Sequence, residues 1–351
     1  MALLFVDSFD HYATADLPGK YSATGGATII SSVTREPRNG PQCCRFLVAG
    51  SSNLSKKFLA HTTWIMGIGI KLDADVGGSL DHDIFQVIDH TESTVSDTQV
   101  SLQYNFDKKF RVVRGSEIVG TVLATSDGTF DLDDGWHFIE FKCVINNTIG
   151  SFDAQLDGVQ IQGIETTGVD TRNGANDLAN GITIRPVIGV NSECLFDDLY
   201  IANGAPPGII DFLGDIKIDA LFPRADGNYE EFTPSSGTDA FALVNTFPPD
   251  ADTTYVEENT DVKKSSFLMD TAGNFAIKGV QETLYIRKTD VNRRKIKHLT
   301  RIGGADHKGP DVRMGETFNM KTKMWETSPK TGSQWTAGEV NGSEFGMEVA
   351  S

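Results

Sequence analysis

FDDLYIANG, residues 196–204, sets two adjacent aspartates inside a run of strand-forming residues. Paired carboxylates can hold a metal or serve glycoside hydrolysis, whose retaining form needs two carboxyl groups about 5–5.5 Å apart on one face. On a strand that spacing belongs to residues i and i+2. Asp197 and Asp198 are immediate neighbours, so they are expected on opposite faces, one meeting solvent and the other a turn or backbone amide. Glu193 and Asp197 stand four apart, with Cys194, Leu195 and Phe196 between them. Asp131 and Asp133 have the right step, but Asp133-Asp134-Gly135 reads as a turn, where solvated acids collect. No catalytic residue is assigned.

Metal chemistry has a similar outcome. DHDIFQVIDH (81–90) is the densest histidine segment, with His82 and His90 flanked by Asp83 and Asp89. On an extended chain that separation exceeds ~25 Å, too far for one ion, and the segment reads as solvated loop. The surplus of loop aspartates leaves room for a calcium ion, although no ligand set is assigned and no cofactor is expected. Cys43, Cys44, Cys143 and Cys194 show no CxxC spacing and read as reduced, buried thiols. Neither GxSxG nor a phosphate-binding loop occurs.

Charge narrows the partners. A formal charge of −17 and a pI near 4.8 argue against wholesale binding of nucleic acid or an anionic membrane. One basic segment stands out: RKTDVNRRKIKHLTR (287–301). A hairpin with VNRRK at its tip would present Arg293, Arg294, Lys295 and Lys297 together as a contact for an acidic surface, such as the first domain of a neighbouring subunit. The same charges would also discourage edge pairing. No aromatic stacking pattern accompanies them, so nucleic acid is not the expected partner. MALLFVDSFD lacks the basic lead-in of a signal peptide, and no stretch approaches 18 apolar residues. A soluble chain made in a cytoplasm-like compartment is expected.

The elements that must position these residues are strands. Short runs alternate apolar and polar residues between Gly, Asp, Asn and Pro. SLQYNF (101–106), KFRVV (109–113) and WHFIEFKCVI (136–145) are examples. GSFDAQLDGVQIQG (150–163) reads as a hairpin whose Asp157-Gly158 suits a type I′ turn. NGAPPGIID ends a first domain at 1–203, and a second, smaller one spans 204–351. There strands are expected in 212–223, 276–288, 296–302, 318–327 and 347–350, with an irregular stretch over 224–262. Thr336 is positioned to cap a short helix. LLFVDSF (3–9) and CLFDDLYIA (194–202) share an apolar run with an acidic interruption, and are expected side by side, closing the first sandwich. The fold class is therefore all-β: an antiparallel β-sandwich, then a smaller β domain with little helix.

WHFIEFKCVI, the hairpin with LDGVQI and then FDDLYIANG resemble the later strands of laminin-G-like, concanavalin-A-like lectin domains. FDDLYIANG followed by FLGDIKIDALFPRADG, FTPSSGTDAFALV, PPDADTTYV and WTAGEVNGSEFGMEV resembles a group of tailed-bacteriophage virion structural proteins, in that order and over essentially the whole chain. The resemblance implies an antiparallel lectin-like β-sandwich of jelly-roll type followed by a smaller β domain, in a non-enzymatic component of the tail, neck or capsid surface. Such a component is assembled in the host cytoplasm, is homo-oligomeric and contacts other virion proteins. It supplies no catalytic residue or metal ligand. The alternative is an adhesin that recognises host glycans, with Tyr104 or Trp64 as candidate aromatic platforms.

Overall fold

The computed structural model describes residues 2–47, 52–72, 81–90, 98–116, 120–133, 135–187, 193–237 and 239–350. Two compact units emerge: Met1–Asp10 with Tyr21–Ile218, and His11–Lys20 with Asp219–Ser351. Both are built of antiparallel strands, with only short helices.

The first unit is an antiparallel β-sandwich. Among the described residues its larger sheet has nine strands. Seven run in the order Val159–Gln160, Gly150–Leu156, His137–Val144, Thr63–Leu72, Cys194–Ala202, Gln42–Phe46 and Ala27–Ser31. Leu3–Asp7 also pairs with Cys194–Ala202, and Thr166–Val169 with Gly150–Leu156. The second sheet runs Leu54–His61, Ala179–Ile184, His82–Ile88, Thr98–Tyr104, Phe110–Arg114 and Thr121–Thr125.

Alternation explains the core: Ile139, Phe141 and Cys143 lie opposite Ile68, Met66 and Trp64, and all six are buried. Each such large apolar side chain contributes about 1.5–3 kcal/mol. The expected hairpin forms, with Asp157 at φ 53° and Gly158 at φ 74° as a type I′ turn requires. The first strand and Cys194–Ala202 do pair, with Phe5 opposite Ile201 and Asp7 opposite Leu199.

Four expectations are corrected in this unit. Residues 81–90 are not solvated loop: His82–Ile88 is an inner strand, with Asp83 and Asp89 buried. Trp64 and Tyr104 lie in the core and offer no platform to a sugar. Residues 212–222 form no strand; over 212–218 the chain is an extended strap, whose hydrogen bonds run to side chains of the first unit instead of to a ladder. Residues 204–218, placed in the second domain by the proline-rich signal, accordingly lie in the first unit.

In the second unit a sheet runs Pro223–Glu230, Lys264–Met269, Ser343–Ala350, Lys295–Ile302 and Ala305–Lys308, with Val312–Arg313 also on Lys295–Ile302. Ile302, Trp325, Trp335, Val340 and Phe345 form a core cluster. Thr336 caps the helix Ala337–Asn341 and completes a capping box with Glu339. Residues 11–20 belong here through contacts such as the Tyr285 hydroxyl donating to Asp16 at 3.0 Å.

Candidate functional site

The aspartate pair sits where a strand changes neighbours. Thr63–Leu72 flanks one edge of Cys194–Ala202. Along the other edge, Cys194, Leu195 and Phe196 pair with Phe46, Arg45 and Cys44, whereas Leu199, Tyr200 and Ile201 pair with Asp7, Val6 and Phe5. Asp197 and Asp198 fall on the changeover, where no single strand can continue the ladder. The chain bulges there and Asp198 takes φ 51°, a left-handed conformation that aspartate tolerates better than most residues. Strict alternation ends at such a bulge. Both side chains are fully buried, and the expectation that one meets solvent is corrected.

Each carboxylate satisfies backbone amides that the interrupted ladder leaves without carbonyls. Asp197 accepts from the N–H groups of Arg38 (3.0 Å), Asn39 (3.2 Å) and Asp198 (2.9 Å), fixing the turn that leads into Gln42–Phe46. Asp198 accepts from the Ile218 N–H at 2.7 Å and pairs with the Arg38 guanidinium. Asp10 accepts from the Gln42 N–H at 2.9 Å. Gly40, at φ 65°, must be glycine, because a Cβ there would stand 2.2 Å from an Asp10 oxygen. Asp7 accepts from the Tyr21 hydroxyl at 2.5 Å and the Phe9 N–H at 3.0 Å. Burial is the main force on Asp10 and Asp197. It pushes Asp10 up to about 7, against the Gln42 amide. It also raises Asp197, helped by the charge of Asp198 and opposed by the Asn39 and Asp198 amides.

On the outward face of the same sheet, Glu140 gathers donors. Its Oε1 accepts from the Tyr200 hydroxyl (2.5 Å) and from the N–H groups of Leu213 (2.9 Å) and Gly214 (3.0 Å) in the strap. Burial raises its carboxyl, and those donors oppose the rise. Tyr200 stacks on Phe138, with centroids 6.3 Å apart, and the Arg38 guanidinium lies 4.8 Å from the Phe138 centroid. Gly67 and Gly69 make this layer possible. A Cβ on Gly67 would stand 2.3 Å from the Tyr200 ring, and one on Gly69 2.6 Å from Arg38 Cδ. Arg38 then bonds the Ile216 carbonyl (2.7 Å) and pairs with Asp215, while Asn39 donates to the Ile218 carbonyl (3.3 Å).

Chemically, this arrangement is a latch. Its carboxylates are buried and occupied by main-chain donors, which is the opposite of what a hydrolase presents to substrate.

Other candidate residues disperse. Glu193 pairs with Arg35, Asp131 with Lys108 (2.9 Å), and His82 is half-buried at one end of its strand while His90 follows the other. No group of three or more metal-binding side chains occurs among the described residues. All four cysteines are free and buried, and burial pushes the Cys43 and Cys194 thiols up to about 12.

The basic segment does not form the expected hairpin. Val280–Ile286 pairs with Asn319–Trp325, and Lys295–Ile302 enters the other sheet. Arg294 pairs with Asp290 (2.8 Å), and Lys295 and Lys297 with Asp311 (3.1 and 3.7 Å). Arg293 is exposed and has no ion-pair partner among the described residues.

No protein-family model and no curated protein matches the sequence. Solved structures give loose likenesses. A carbohydrate esterase from Shiga toxin-encoding bacteriophage phi24B aligns at 15% identity and TM-score 0.35, over 57% of this chain and 99% of that one. A structure described as a receptor binding domain gives 11% and 0.36, over 92% and 74%. The exoplasmic/lumenal domain of VIP36, bound to calcium and Man3GlcNAc, gives 11% and 0.34, over 58% and 90%. The β-sandwich assignment stands on the sheet order and register described above.

Proposed function

We propose that this chain is a non-enzymatic structural component of a phage virion, in the tail, neck or capsid surface. It acts through contacts with copies of itself and with other particle proteins. The carrying observation is the use made of the carboxylates: Asp197, Asp198, Asp10 and Glu140 all hold backbone amides in place. The ordered resemblance of segments from FDDLYIANG to the carboxy-terminal WTAGEVNGSEFGMEV supplies the particle context. Weak contacts repeated over many copies add through multivalency, so no single interface need be tight.

The test is co-purification. Density-gradient-purified particles, probed with antibody to this chain, should carry it at fixed stoichiometry. A chain that stays in the soluble fraction while particles are complete would defeat the reading. In parallel, specific and saturable binding on a glycan array would favour an adhesin. Reducing ends released from host polysaccharide would show a hydrolase.

A further inference from the structure

The strand Lys295–Ile302 breaks its own pattern. Its inward row reads Ile296, His298, Thr300 and Ile302, and all four are buried. Apolar residues are expected at every place in such a row, because a polar group buried without a hydrogen bond costs stability. Thr300 Oγ1 and both ring nitrogens of His298 have no hydrogen-bond partner among the described residues. Glu282 meets His298 from a separate two-stranded sheet, Val280–Ile286 paired with Asn319–Trp325, which shares no ladder with the larger one. Its Oε2 accepts from Trp325 Nε1 at 3.2 Å and stands 3.5 Å from His298 Nδ1. That separation is longer than a normal hydrogen bond, yet close enough for opposite charges to attract. Two buried titratable side chains thus face each other across the seam between two sheets.

Neither has another ion pair among the described residues. Lys323 lies opposite Glu282 in the small sheet, but its amine donates to the Met324 carbonyl at 2.9 Å and sits 4.7 Å from the Trp325 ring centroid. Lys321 is one step further along the same face, opposite Leu284. His307 lies opposite Thr300, while Phe345, Met347 and Val349 bring no charge from Ser343–Ala350. Lys297, Arg301 and Glu348 alternate to the far side of the sheet. Burial raises the Glu282 carboxyl, and His298 and the Trp325 indole oppose the rise.

We propose that Glu282 and His298 form a proton-operated clamp between the two sheets of the second unit. One proton held between them fastens the small sheet. Its loss leaves a buried carboxylate without a counter-charge, and the small sheet loosens. The sign agrees with burial: a carboxyl raised by folding stabilises fully below its ordinary value of 4.5, and that contribution is lost as pH rises through the raised value. A two-stranded sheet is marginal by itself, so loosening opens its amides to solvent.

Amide hydrogen exchange of the full chain, referenced to unstructured rates at each pH, reads the clamp. Between about pH 5 and pH 9, protection in Val280–Ile286 should fall by up to about tenfold per pH unit. Glu282→Gln keeps a neutral side chain of the same shape and should make that protection independent of pH. His298→Leu removes a group that opposes the rise, and should move the loss to higher pH. Protection that does not change with pH in the unsubstituted chain overturns the proposal. So does a pH dependence that survives Glu282→Gln. Should that variant fail to fold, a loss that His298→Leu leaves at the same pH overturns it equally.

Discussion

Arg38→Met is the most informative single change. It removes the guanidinium that faces Asp198, while a side chain of similar reach keeps contact with Phe138. Asp198 is fully buried, and breaking a buried pair by deleting one partner costs about 3–5 kcal/mol because the other charge is left uncompensated. Arg38 also loses its bond to the Ile216 carbonyl, worth about 0.5–1.5 kcal/mol and included in that range. For a unit of this size each kcal/mol moves Tm by about 2–4 °C, so Tm should fall by about 6–20 °C. The assay is thermal and urea unfolding followed by tryptophan fluorescence, with buried Trp64 reporting the sandwich. Asp198→Asn should destabilise less, and the Arg38→Met/Asp198→Asn double change should cost about 1–3 kcal/mol less than the sum of the singles. A loss below about 1 kcal/mol in Arg38→Met, or strict additivity, would refute the latch reasoning.

Three further outcomes follow from the same geometry. Asp10 has its carboxyl raised to about 7 from an ordinary value of 3.8, so the folded state binds the proton more tightly than the unfolded chain. Its contribution is full below about pH 4 and is lost as pH rises to about 7, at no more than ~1.4 kcal/mol per pH unit; Asp10→Asn should flatten that slope in urea titrations. Gly67→Ala forces a methyl into the Tyr200–Phe138 stack and should cost about 1–3 kcal/mol by overpacking, measured as a lowered urea midpoint. In the second unit, buried Glu282 accepts from Trp325 Nε1 at 3.2 Å and lies 3.5 Å from His298 Nδ1. Glu282→Leu should cost about 3 kcal/mol or more, and adding His298→Leu should cost less than the sum in calorimetry.

The parts of the fold written in local patterns were legible in the sequence. Alternation located most strands, Asp157-Gly158 named its own turn, Thr336 announced its helix cap, and the shared apolar runs paired Leu3–Asp7 with Cys194–Ala202. The latch was not legible, because its cause is non-local. Asp197 and Asp198 leave alternation only because Gln42–Phe46 gives way to Leu3–Asp7 beside them, and neither segment carries a mark of that handover. The strap read as a strand because Ile216, Ile218, Ala220 and Phe222 alternate; the competing pull of Glu140, Asp198, Arg38 and Asn39 lies 73 or more residues away for the first of these and well before it for the last two. Lys295 and Lys297 looked unpaired because Asp311, which pairs with both, enters from beyond the strand they begin. Gly67 and Gly69 were the available clue: two glycines on a buried strand signal a close approach from another segment.

The account turns on carboxylates committed to backbone amides, and amide hydrogen exchange resolved by residue measures that commitment most directly. Arg38, Asn39, Leu213, Gly214 and Ile218 lie outside helices and strands and donate to Asp197, Glu140 and Asp198. The prediction is slow exchange at all five, with Glu140→Gln accelerating Leu213 and Gly214 and leaving Arg38 and Asn39 unchanged. Exchange at these amides as fast as in an unstructured chain would contradict it.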